Sequence, residues 1–308
     1  MKYIIGMDGG GTKTHCLITD SNNKILYECT GSASNFLVKG TEAVSETILD
    51  LINKCKNQVN IEYSDIDAVL LGTTGAGRKA DAEKLENDLS NYAKSKQIKL
   101  PPFKVESDAR IALEGAFSGL PGSILIAGTG SIMFGKDEEG HILRVGGFGR
   151  YLGDEGSGYA IGRKGLVAVS KQYDGRGGKT LITGILKEKF GIDSAEKLIS
   201  EIYKNNFDMA SAAPAVLTAG DKGDNTALKI IDEETDELID HISAMRKKIN
   251  QPRMNLSFVG GIISSNNIYS TLLRKKIAER LPDVNLQEPD YPPAMGAVLM
   301  AKKLITST

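Results

Sequence analysis

The chain has 308 residues, of which 41% are hydrophobic and 25% are charged, and 38 basic residues nearly balance 39 acidic ones. This length suffices for about two domains of roughly 100–200 residues, each with its own core. The near-neutral charge excludes a surface built for nucleic acid or anionic lipid, and no apolar run approaches the roughly 20 residues that cross a bilayer. Three cysteines without CxxC spacing and three scattered histidines predict no disulfide framework and no cysteine or histidine metal site. We therefore expect a cytoplasmic protein that binds neither nucleic acid nor membranes.

Apolar runs and glycine-rich turns alternate with longer amphipathic stretches along the chain. In the first half this pattern predicts strands at 3–8, 14–20, 24–29, 66–72 and 103–107, and helices near 40–57, near 79–96 and from about 109. In the second half it predicts strands at 123–128, 132–135, 141–145 and 255–259, and helices near 157–172, 178–190, 195–204, 209–220, 225–248, 265–280 and 292–304. Strands that alternate with helices indicate an α/β protein.

Two segments, residues 3–29 and 123–145, share one order of features. Each has an apolar strand, a Gly-Thr turn, a second strand, a polar turn and a third strand that begins near an Ile-Leu pair. Self-similarity of this kind is typical of an internal duplication. We therefore predict two lobes that are joined by helices, with the active-site cleft between them.

The first Gly-Thr turn has the sequence Asp8-Gly9-Gly10-Gly11-Thr12-Lys13-Thr14 and lies between two predicted strands. Glycines allow backbone N–H groups to close around an anion, as in other phosphate-binding turns. The Thr12 hydroxyl and the Lys13 charge would add to that site. Asp8, at the end of a buried strand, is suited to hold Mg²⁺ through water, because Mg²⁺ keeps much of its hydration. The alternative is a hairpin turn with a capping aspartate, although such a turn needs only one or two glycines.

The second Gly-Thr turn, Gly128-Thr129-Gly130-Ser131, occupies the equivalent position in the second half. By itself it is a weak signal. Together with the first turn it predicts two hairpins that bind one polyphosphate. A third segment, Gly178-Lys179-Thr180, looks like the end of a P-loop, but Tyr173 stands where the first glycine is required, so we interpret it as a loop.

These motifs resemble the actin-like ATPase superfamily and, more closely, the BadF/BadG/BcrA/BcrD ATPase family with its N-acetylglucosamine kinases. The resemblance runs from residue 3 to about 300 and is carried by Ser34-Asn35, Glu106-Ser107-Asp108-Ala109, Ala127 to Ser131, Gly146-Gly147, Gly153 to Ser157 and Gly260-Gly261. It implies two ribonuclease H-like lobes, one formed by residues 1–118 plus 291–308 and the other by 119–290. It also implies ATP and Mg²⁺ as cofactors and a homodimer.

The resemblance assigns roles to particular residues of this chain. Asp108 would be the catalytic base that accepts a proton from the sugar hydroxyl, whereas the residues alone favour an ordinary helix N-cap at Ser107-Asp108. The positions implied for ATP are Gly10, Gly11, Thr12, Lys13, Thr129, Ala210, Gly260 and Gly261. The positions implied for the sugar are Asn35, Asp108, Ser131, Gly147 and Asp154. Whether Phe36 or Leu37 forms an apolar platform for the sugar stays open.

The function implied by the resemblance is ATP-dependent phosphorylation of N-acetylglucosamine to N-acetylglucosamine 6-phosphate. Glucosamine, N-acetylmuramic acid and N-acetylmannosamine are alternative substrates. An ATPase that activates an acyl-CoA reductase or dehydratase is an alternative of another class, but it needs cysteines that hold an iron–sulfur cluster, and this chain has none at the expected positions. A sugar-sensing repressor is a further alternative, but it carries a DNA-binding appendage, whereas here the first strand begins at residue 3.

Overall fold

The computed structural model describes residues 2–306, which form two compact units. Unit 1 contains the residues up to Gly122 and those from Glu288 onward, and unit 2 contains Ser123–Gln287. The chain therefore leaves unit 1, builds unit 2 as one continuous segment, and returns to complete unit 1.

Within the described residues there are ten strands and twelve α-helices. The strands are β1 (Tyr3–Gly9), β2 (Lys13–Asp20), β3 (Ile25–Ser32), β4 (Ile66–Thr73), β5 (Phe103–Ser107), β6 (Gly122–Ala127), β7 (Ser131–Lys136), β8 (Ile142–Gly146), β9 (Met254–Val259) and β10 (Val284–Leu286). The helices are α1 (Phe36–Lys39), α2 (Thr41–Val59), α3 (Lys79–Ser95), α4 (Asp108–Ala116), α5 (Gly158–Tyr173), α6 (Leu181–Phe190), α7 (Ala195–Tyr203), α8 (Ala213–Asp221), α9 (Asn225–Lys248), α10 (Gly261–Ser264), α11 (Ile268–Arg280) and α12 (Pro293–Thr306). Single 3₁₀ turns lie at Tyr63–Asp65 and Met209–Ala212.

The two sheets have the same topology. In unit 1 the strand order is β3-β2-β1-β4-β5, with β2 antiparallel to its two neighbours and with β4 parallel to both β1 and β5. In unit 2 the order is β8-β7-β6-β9-β10, with β7 and β8 antiparallel and with β9 parallel to both β6 and β10. In both sheets the first three strands of the unit are neighbours in chain order, and the fourth strand pairs in parallel with the first and the fifth, which is the arrangement that a duplication predicts.

The sheet of unit 1 is covered on both faces. On one face, α2 and α3 bury residues such as Ile48 and Leu85 against the sheet. On the other face, α12 packs against β1 and β4. Gly6 of β1 permits this close approach, because a Cβ atom there would collide with the carbonyl oxygen of Ala294. Burial on both faces explains why the central strands are almost continuously apolar.

Unit 2 has a separate and larger core. Leu125 and Met133 of its sheet are fully buried in one cluster with side chains of α5, α8, α9 and α11, for example Val216 and Ile242. Each unit therefore has the hydrophobic core that an independent domain requires.

The structure confirms the predicted α/β class with two actin-like lobes. The sequence pattern missed β10, which has only three residues and pairs with β9 alone. The single helix predicted at 265–280 is wrong in detail, because the chain forms the short helix α10 and begins α11 only at Ile268, after an Asn267 N-cap. None of the helices in residues 2–306 combines the length and the apolar character that a membrane span requires.

Candidate active site

The first hairpin turn exposes its tip. The Gly10 N–H donates to the Lys13 carbonyl over 2.9 Å, which closes the turn between β1 and β2. Gly11, Thr12 and Lys13 are exposed at the tip. Backbone N–H groups, one hydroxyl and one ammonium group are thus available to an anion at this turn.

Two loops hold the base of this hairpin. The Ser34 N–H donates to the Gly10 carbonyl over 3.2 Å, and the Thr74 N–H donates to the Gly9 carbonyl over 3.2 Å. Gly9 is required here, because a Cβ atom would collide with the Ser34 hydroxyl. The loop that carries Asn35 and the loop after β4 are thereby attached to the first hairpin turn.

The register of the parallel strands brings the predicted acidic residues to one edge of the sheet. Gly9 pairs with Thr73, and Thr73 pairs with Ser107, so β1, β4 and β5 end side by side. Asp8 and Asp108 lie at the ends of the two outer strands of this group. Because the carboxyl ends of parallel strands meet at one edge, residues far apart in sequence form one polar cluster.

Asp108 is not the cap of its helix. Ser107 is the N-cap of α4, and its hydroxyl accepts from the Arg110 N–H over 3.2 Å. The Asp108 carboxylate accepts from the Thr74 hydroxyl over 2.8 Å and from the Ala109 N–H over 2.7 Å. Two donors therefore fix the orientation of this carboxylate, while the capping role that its sequence position suggested belongs to Ser107.

Asp8 has an unfavourable electrostatic environment. Its burial raises the pKa of this carboxyl group, and the negative charge of Asp108 raises that pKa further. The charges of His15 and Lys13 oppose the shift only partly. A buried carboxylate whose pKa is raised further by a second negative charge is a site where a cation is favourable.

Asn35 presents an unsatisfied polar atom. Its side-chain oxygen is buried and has no hydrogen-bond partner, although it precedes α1 at the N-cap position. Such an atom is costly unless a ligand supplies the missing donor. Of the two possible platform residues, Phe36 is buried in the core of unit 1, whereas Leu37 is 64% exposed. Only Leu37 is therefore accessible to a ligand.

The second hairpin turn is attached to the loop before α5. The Gly128 N–H donates to the Gly130 carbonyl over 2.9 Å, and the Gly128 carbonyl accepts from the Gly158 N–H over 2.8 Å. The Ser131 N–H donates to the Asp154 carboxylate over 3.2 Å, and the Ser131 hydroxyl donates to the Glu155 carbonyl over 2.6 Å. Turn and loop thus form one hydrogen-bonded unit, which joins two of the predicted sugar-binding residues.

Buried side chains support the loop from behind. The Glu234 carboxylate of α9 accepts from the Gly156 N–H over 2.7 Å and pairs with the Lys164 ammonium over 2.8 Å. The Tyr269 hydroxyl, which is fully buried, lies 2.8 Å from the Gly156 carbonyl and 2.9 Å from the Glu234 carbonyl. Asp154 has a left-handed backbone with φ of 61°, so this loop is held in a conformation that aspartate adopts at a cost.

Gly147, the remaining predicted sugar contact, lies in a bend after β8. Gly146 and Gly147 have φ values of 69° and 72°, a region that favours glycine. The Arg144 guanidinium donates to both carbonyls. The bend is therefore fixed by a side chain two to three residues upstream.

A cavity of about 220 Å³ in unit 2 brings together three of the residues predicted for the nucleotide. Its lining includes Thr129, Ala210 and Gly261 from the prediction, together with Pro214, Leu217 and Ile262, which the sequence did not indicate. Gly260 lies beside it with φ of 104° and packs so closely on the Ala127 carbonyl that no Cβ atom would fit. An apolar cavity beside a glycine-rich turn suits a purine nucleotide, with the base in the cavity and the phosphates at the turn.

Two duplicated α/β units, each with a glycine–threonine hairpin at one end of its sheet, define an actin-like ATPase of the sugar-kinase type. The chain belongs to the BadF/BadG/BcrA/BcrD ATPase family, whose sequence model matches residues 5–301. The family resemblance that the motifs indicated is therefore confirmed, and with it the use of ATP.

The chain is similar to sugar kinases over nearly its whole length. It is 34% identical to an N-acetylmuramic acid/N-acetylglucosamine kinase of Clostridium acetobutylicum, with 98% of this chain and 99% of that protein covered. It is 33% identical to an N-acetyl-D-glucosamine kinase of Dictyostelium discoideum, with 97% and 98% covered. A solved structure of a candidate N-acetylglucosamine kinase from Chromobacterium violaceum has the same fold, with a TM-score of 0.73, 24% identity and 98% and 99% of the two chains covered.

Proposed function

We propose that this protein transfers the γ-phosphate of ATP to the 6-hydroxyl of N-acetylglucosamine. The observation that carries the proposal is the Asp108 carboxylate, which Thr74 orients at the same sheet edge as the phosphate-binding hairpin. The names of the two curated relatives, which are both kinases of N-acetylated amino sugars, support the substrate class.

The residues proposed for the nucleotide lie on the hairpin of unit 1, and on the hairpin and at the cavity of unit 2. Backbone N–H groups of Gly10 and Gly11, the Thr12 hydroxyl and the Lys13 ammonium bind phosphate oxygens, and Thr129 does the same from the second hairpin. The adenosine lies near Ala210, Gly260 and Gly261. Asp8 would hold Mg²⁺ through water, since burial and, after it, the charge of Asp108 raise the pKa of its carboxyl group, and a cation would favour the charged form. The ion would supply neutralisation of phosphate charge.

Asp108 acts as the general base. As the sugar oxygen forms its bond to the γ-phosphorus, the bond between that phosphorus and the bridging oxygen of ADP breaks, and the hydroxyl proton passes to the Asp108 carboxylate. The hydrogen bond from Thr74 keeps one carboxylate oxygen occupied and leaves the group aligned for the transfer.

The sugar is held by Asn35, Ser131, Gly147 and Asp154. The unpaired side-chain oxygen of Asn35 can accept from a sugar hydroxyl, and the Asp154 carboxylate, which Ser131 orients through its N–H, can accept from another. N-acetylmuramic acid is a second candidate substrate, because the relative from C. acetobutylicum is named for both sugars. Glucosamine and N-acetylmannosamine complete the set to be compared.

The test is a coupled ADP-release assay over these four sugars. We expect kcat/KM to be highest for N-acetylglucosamine, and phosphorus NMR of the product to show a 6-phosphate. The Asp108→Asn variant is the control for contaminating kinases. Absence of sugar-dependent ADP release would contradict the proposal, and iron bound to the purified protein would point to the activator function instead.

We also propose that the protein works in the cytoplasm as a homodimer. Composition supports the first statement and the family resemblance supports the second, which sedimentation of the purified protein at several concentrations tests. A mass equal to that of one chain at all concentrations would contradict it.

A further inference from the structure

All three cysteines of the chain meet in unit 1, away from the hairpin tip. Cys16 of β2 and Cys29 of β3 are directly opposite in the antiparallel register, and Cys55 of α2 packs over them. The Cys16 and Cys55 sulfurs are 3.6 Å apart, the Cys29 and Cys55 sulfurs are 4.0 Å apart, and all three lie within 4.8 Å of one another. We call these residues the thiol cluster.

Two of the sulfur–sulfur distances, 3.6 Å and 4.0 Å, match those of thiolates around one metal ion. With a metal–sulfur distance of about 2.3 Å, two sulfurs are about 3.8 Å apart in tetrahedral geometry and about 4.0 Å apart in trigonal geometry. A disulfide requires about 2.05 Å, so every pair in the thiol cluster would have to move closer by more than about 1 Å. The backbone thus presents the thiols at the distance of a shared ion rather than that of a bond.

The environment of the thiol cluster leaves one of its three sulfurs, that of Cys29, at an accessible side. Hydrogen bonds from the Cys16 and Cys55 thiols lower the pKa of Cys29, and the Lys54 ammonium lowers it further. The pKa of the Cys16 thiol is raised by its interaction with the other two sulfurs and by burial. Cys16 and Cys55 are fully buried, whereas Cys29 is partly exposed. A cation can therefore reach the thiol cluster at Cys29.

We propose that Cys16, Cys29 and Cys55 bind one soft, thiophilic cation of the Zn²⁺ or Cu⁺ type. Soft thiolate ligands select such ions, whereas Mg²⁺ prefers oxygen, so this site does not compete for the ion that accompanies ATP. Binding exchanges the protons that remain on the thiols for the metal ion, so affinity falls as the pH is lowered. The bound ion would link β2, β3 and α2 and stabilise unit 1 without contacting the substrates.

The experiment uses the full chain, reduced and freed of metal by a chelator under anaerobic conditions. Cd²⁺ is added as a spectroscopic probe, because cadmium bound to thiolate has an ultraviolet charge-transfer band. Since the chain contains only three cysteines, that band reports on the thiol cluster alone. We expect the band to saturate at one Cd²⁺ per chain, Zn²⁺ to compete with it, and the thermal unfolding temperature to rise with either ion.

Two variants make the result specific. Cys29→Ser changes the partly exposed ligand and should fold, while the band weakens and the unfolding temperature stops responding to metal. His141→Ala removes a ligand from the exposed group Asp137, Glu139 and His141, which could also attract a cation, and should leave the band and the stabilisation unchanged.

Three results would overturn the proposal. The wild-type chain could show no thiolate band and no metal-dependent stabilisation. Cys29→Ser could respond as the wild type does. Mild peroxide could form a disulfide, detected as a loss of two hydrogens by mass spectrometry, in a protein that Cd²⁺ and Zn²⁺ do not stabilise, in which case the thiol cluster is a redox pair.

Discussion

Asp108 and Ser107 are adjacent, yet the structure gives them different tasks, and this permits a sharp test. A sugar hydroxyl is a poor nucleophile at neutral pH, and a positioned base contributes about 10²–10⁴-fold to the rate. Asp108→Asn keeps the shape and an acceptor for the Thr74 hydroxyl but removes most of the basicity. We expect normal unfolding, near-normal binding of both substrates by calorimetry and a fall in kcat of at least about 10²-fold.

Ser107→Ala is the matched control, because it removes the N-cap of α4 and leaves the carboxylate in place. It should cost about 1 kcal/mol of unfolding free energy and retain most of kcat. A normal kcat in Asp108→Asn, or equal losses of activity in both variants, would contradict the assignment of Asp108 as the base.

Thr12 tests the phosphate-binding role of the first hairpin. Its side chain is exposed at the tip, so Thr12→Ala should leave stability unchanged while it raises the KM for ATP more than the KM for the sugar. The physical reason is the loss of a hydroxyl donor to a phosphate oxygen. Ser21→Ala, in the exposed turn between β2 and β3, is the control and should change neither KM. Unchanged ATP kinetics in Thr12→Ala would remove Thr12 from the site.

Single site residues could be predicted from the sequence where their type is unusual for their position. The three consecutive glycines before Thr12 exceed what a turn needs and could be recognised at once. Asp108 could not be assigned from the residues alone, because an Asp beside a Ser at a helix start is ordinary. Thr74, which orients that carboxylate, gave no signal, since its contact with Asp108 depends on the register of β4 and β5.

The loop before α5 is held by residues far from it in sequence, and one of them is Tyr269 of α11. A substitution at Tyr269 tests how much the loop depends on that contact. Tyr269→Phe removes the donor shared by two buried carbonyls, of Gly156 and of Glu234. We expect a loss of roughly 1–3 kcal/mol of unfolding free energy, measured with urea. We also expect a higher KM for the sugar, because the loop holds Asp154.

Tyr173→Phe provides the comparison in the same unit. The Tyr173 hydroxyl is less buried and donates to the single Ile192 carbonyl over 3.2 Å. This variant should lose less stability and keep the KM of the wild type. If both variants behaved alike, the hydroxyl of Tyr269 would have no special role in holding the loop.

The contact between α9 and α11 predicts a pH effect on stability. The buried Lys276 ammonium lies 2.7 Å from Asp232 and 2.6 Å from Asp236, and its hydrogen bond lowers the pKa of Asp236 in the folded state. A lowered carboxyl pKa stabilises the fold above the unfolded pKa, near 3.8, and that contribution is lost as the pH falls through the folded pKa.

Lys276→Met should remove the larger part of this contribution, because the Arg280 guanidinium, 2.8 Å from the same carboxylate, also lowers the pKa of Asp236. The unfolding free energy of each protein is measured with urea at neutral pH and at about pH 3. The value for the wild type minus the value for Lys276→Met should therefore be smaller at the lower pH. Lys275→Met, at the exposed neighbouring position, is the control and should follow the wild type at both pH values. A constant difference over that range would show that the pair is not linked to proton binding.

Elements with strong periodicity could be predicted from the sequence, and elements that depend on a partner could not. The long helix α9 has clear apolar periodicity, and the predicted bounds match those observed. By contrast, β10 has three residues and exists as a strand only because β9 supplies its hydrogen bonds. The break between α10 and α11 depends on the Asn267 cap, whose side chain accepts from the Ser270 N–H over 2.9 Å.

At the scale of the whole molecule, the duplication explains why the sequence was informative about the fold. A single Gly-Thr turn is weak evidence, but the same order of features twice predicts two copies of one sheet. The two strand orders agree with that prediction. The thiol cluster could not be predicted from the sequence, because its members are 13 and 26 residues apart and meet only through strand pairing and the packing of α2.

Because unit 2 is continuous in the chain and unit 1 is not, the two units should differ in their ability to fold as isolated fragments. Unit 2 is one continuous segment with its own core, so a fragment of residues 123–287 should fold alone and unfold cooperatively in urea. A fragment of residues 2–122 lacks α12, which buries Ile4 and Leu70 against Ala294 and Val298. That fragment exposes the part of the sheet face that α12 covers, and we expect it to aggregate.

A version of unit 1 in which a linker replaces unit 2 tests whether the fragment aggregates because it lacks α12 or because unit 1 is unstable by itself. The Asp290 N–H donates to the Ala116 carbonyl over 3.1 Å, and the Tyr291 N–H donates to the Gly115 carbonyl over 3.1 Å, so the returning chain lies close to the end of α4. A short Gly-Ser linker from Gly122 to Glu288 can therefore replace unit 2 and restore α12 to its place. We expect the linked form to be soluble and to unfold cooperatively. Equal behaviour of the linked form and of residues 2–122 would mean that α12 does not complete the fold of unit 1.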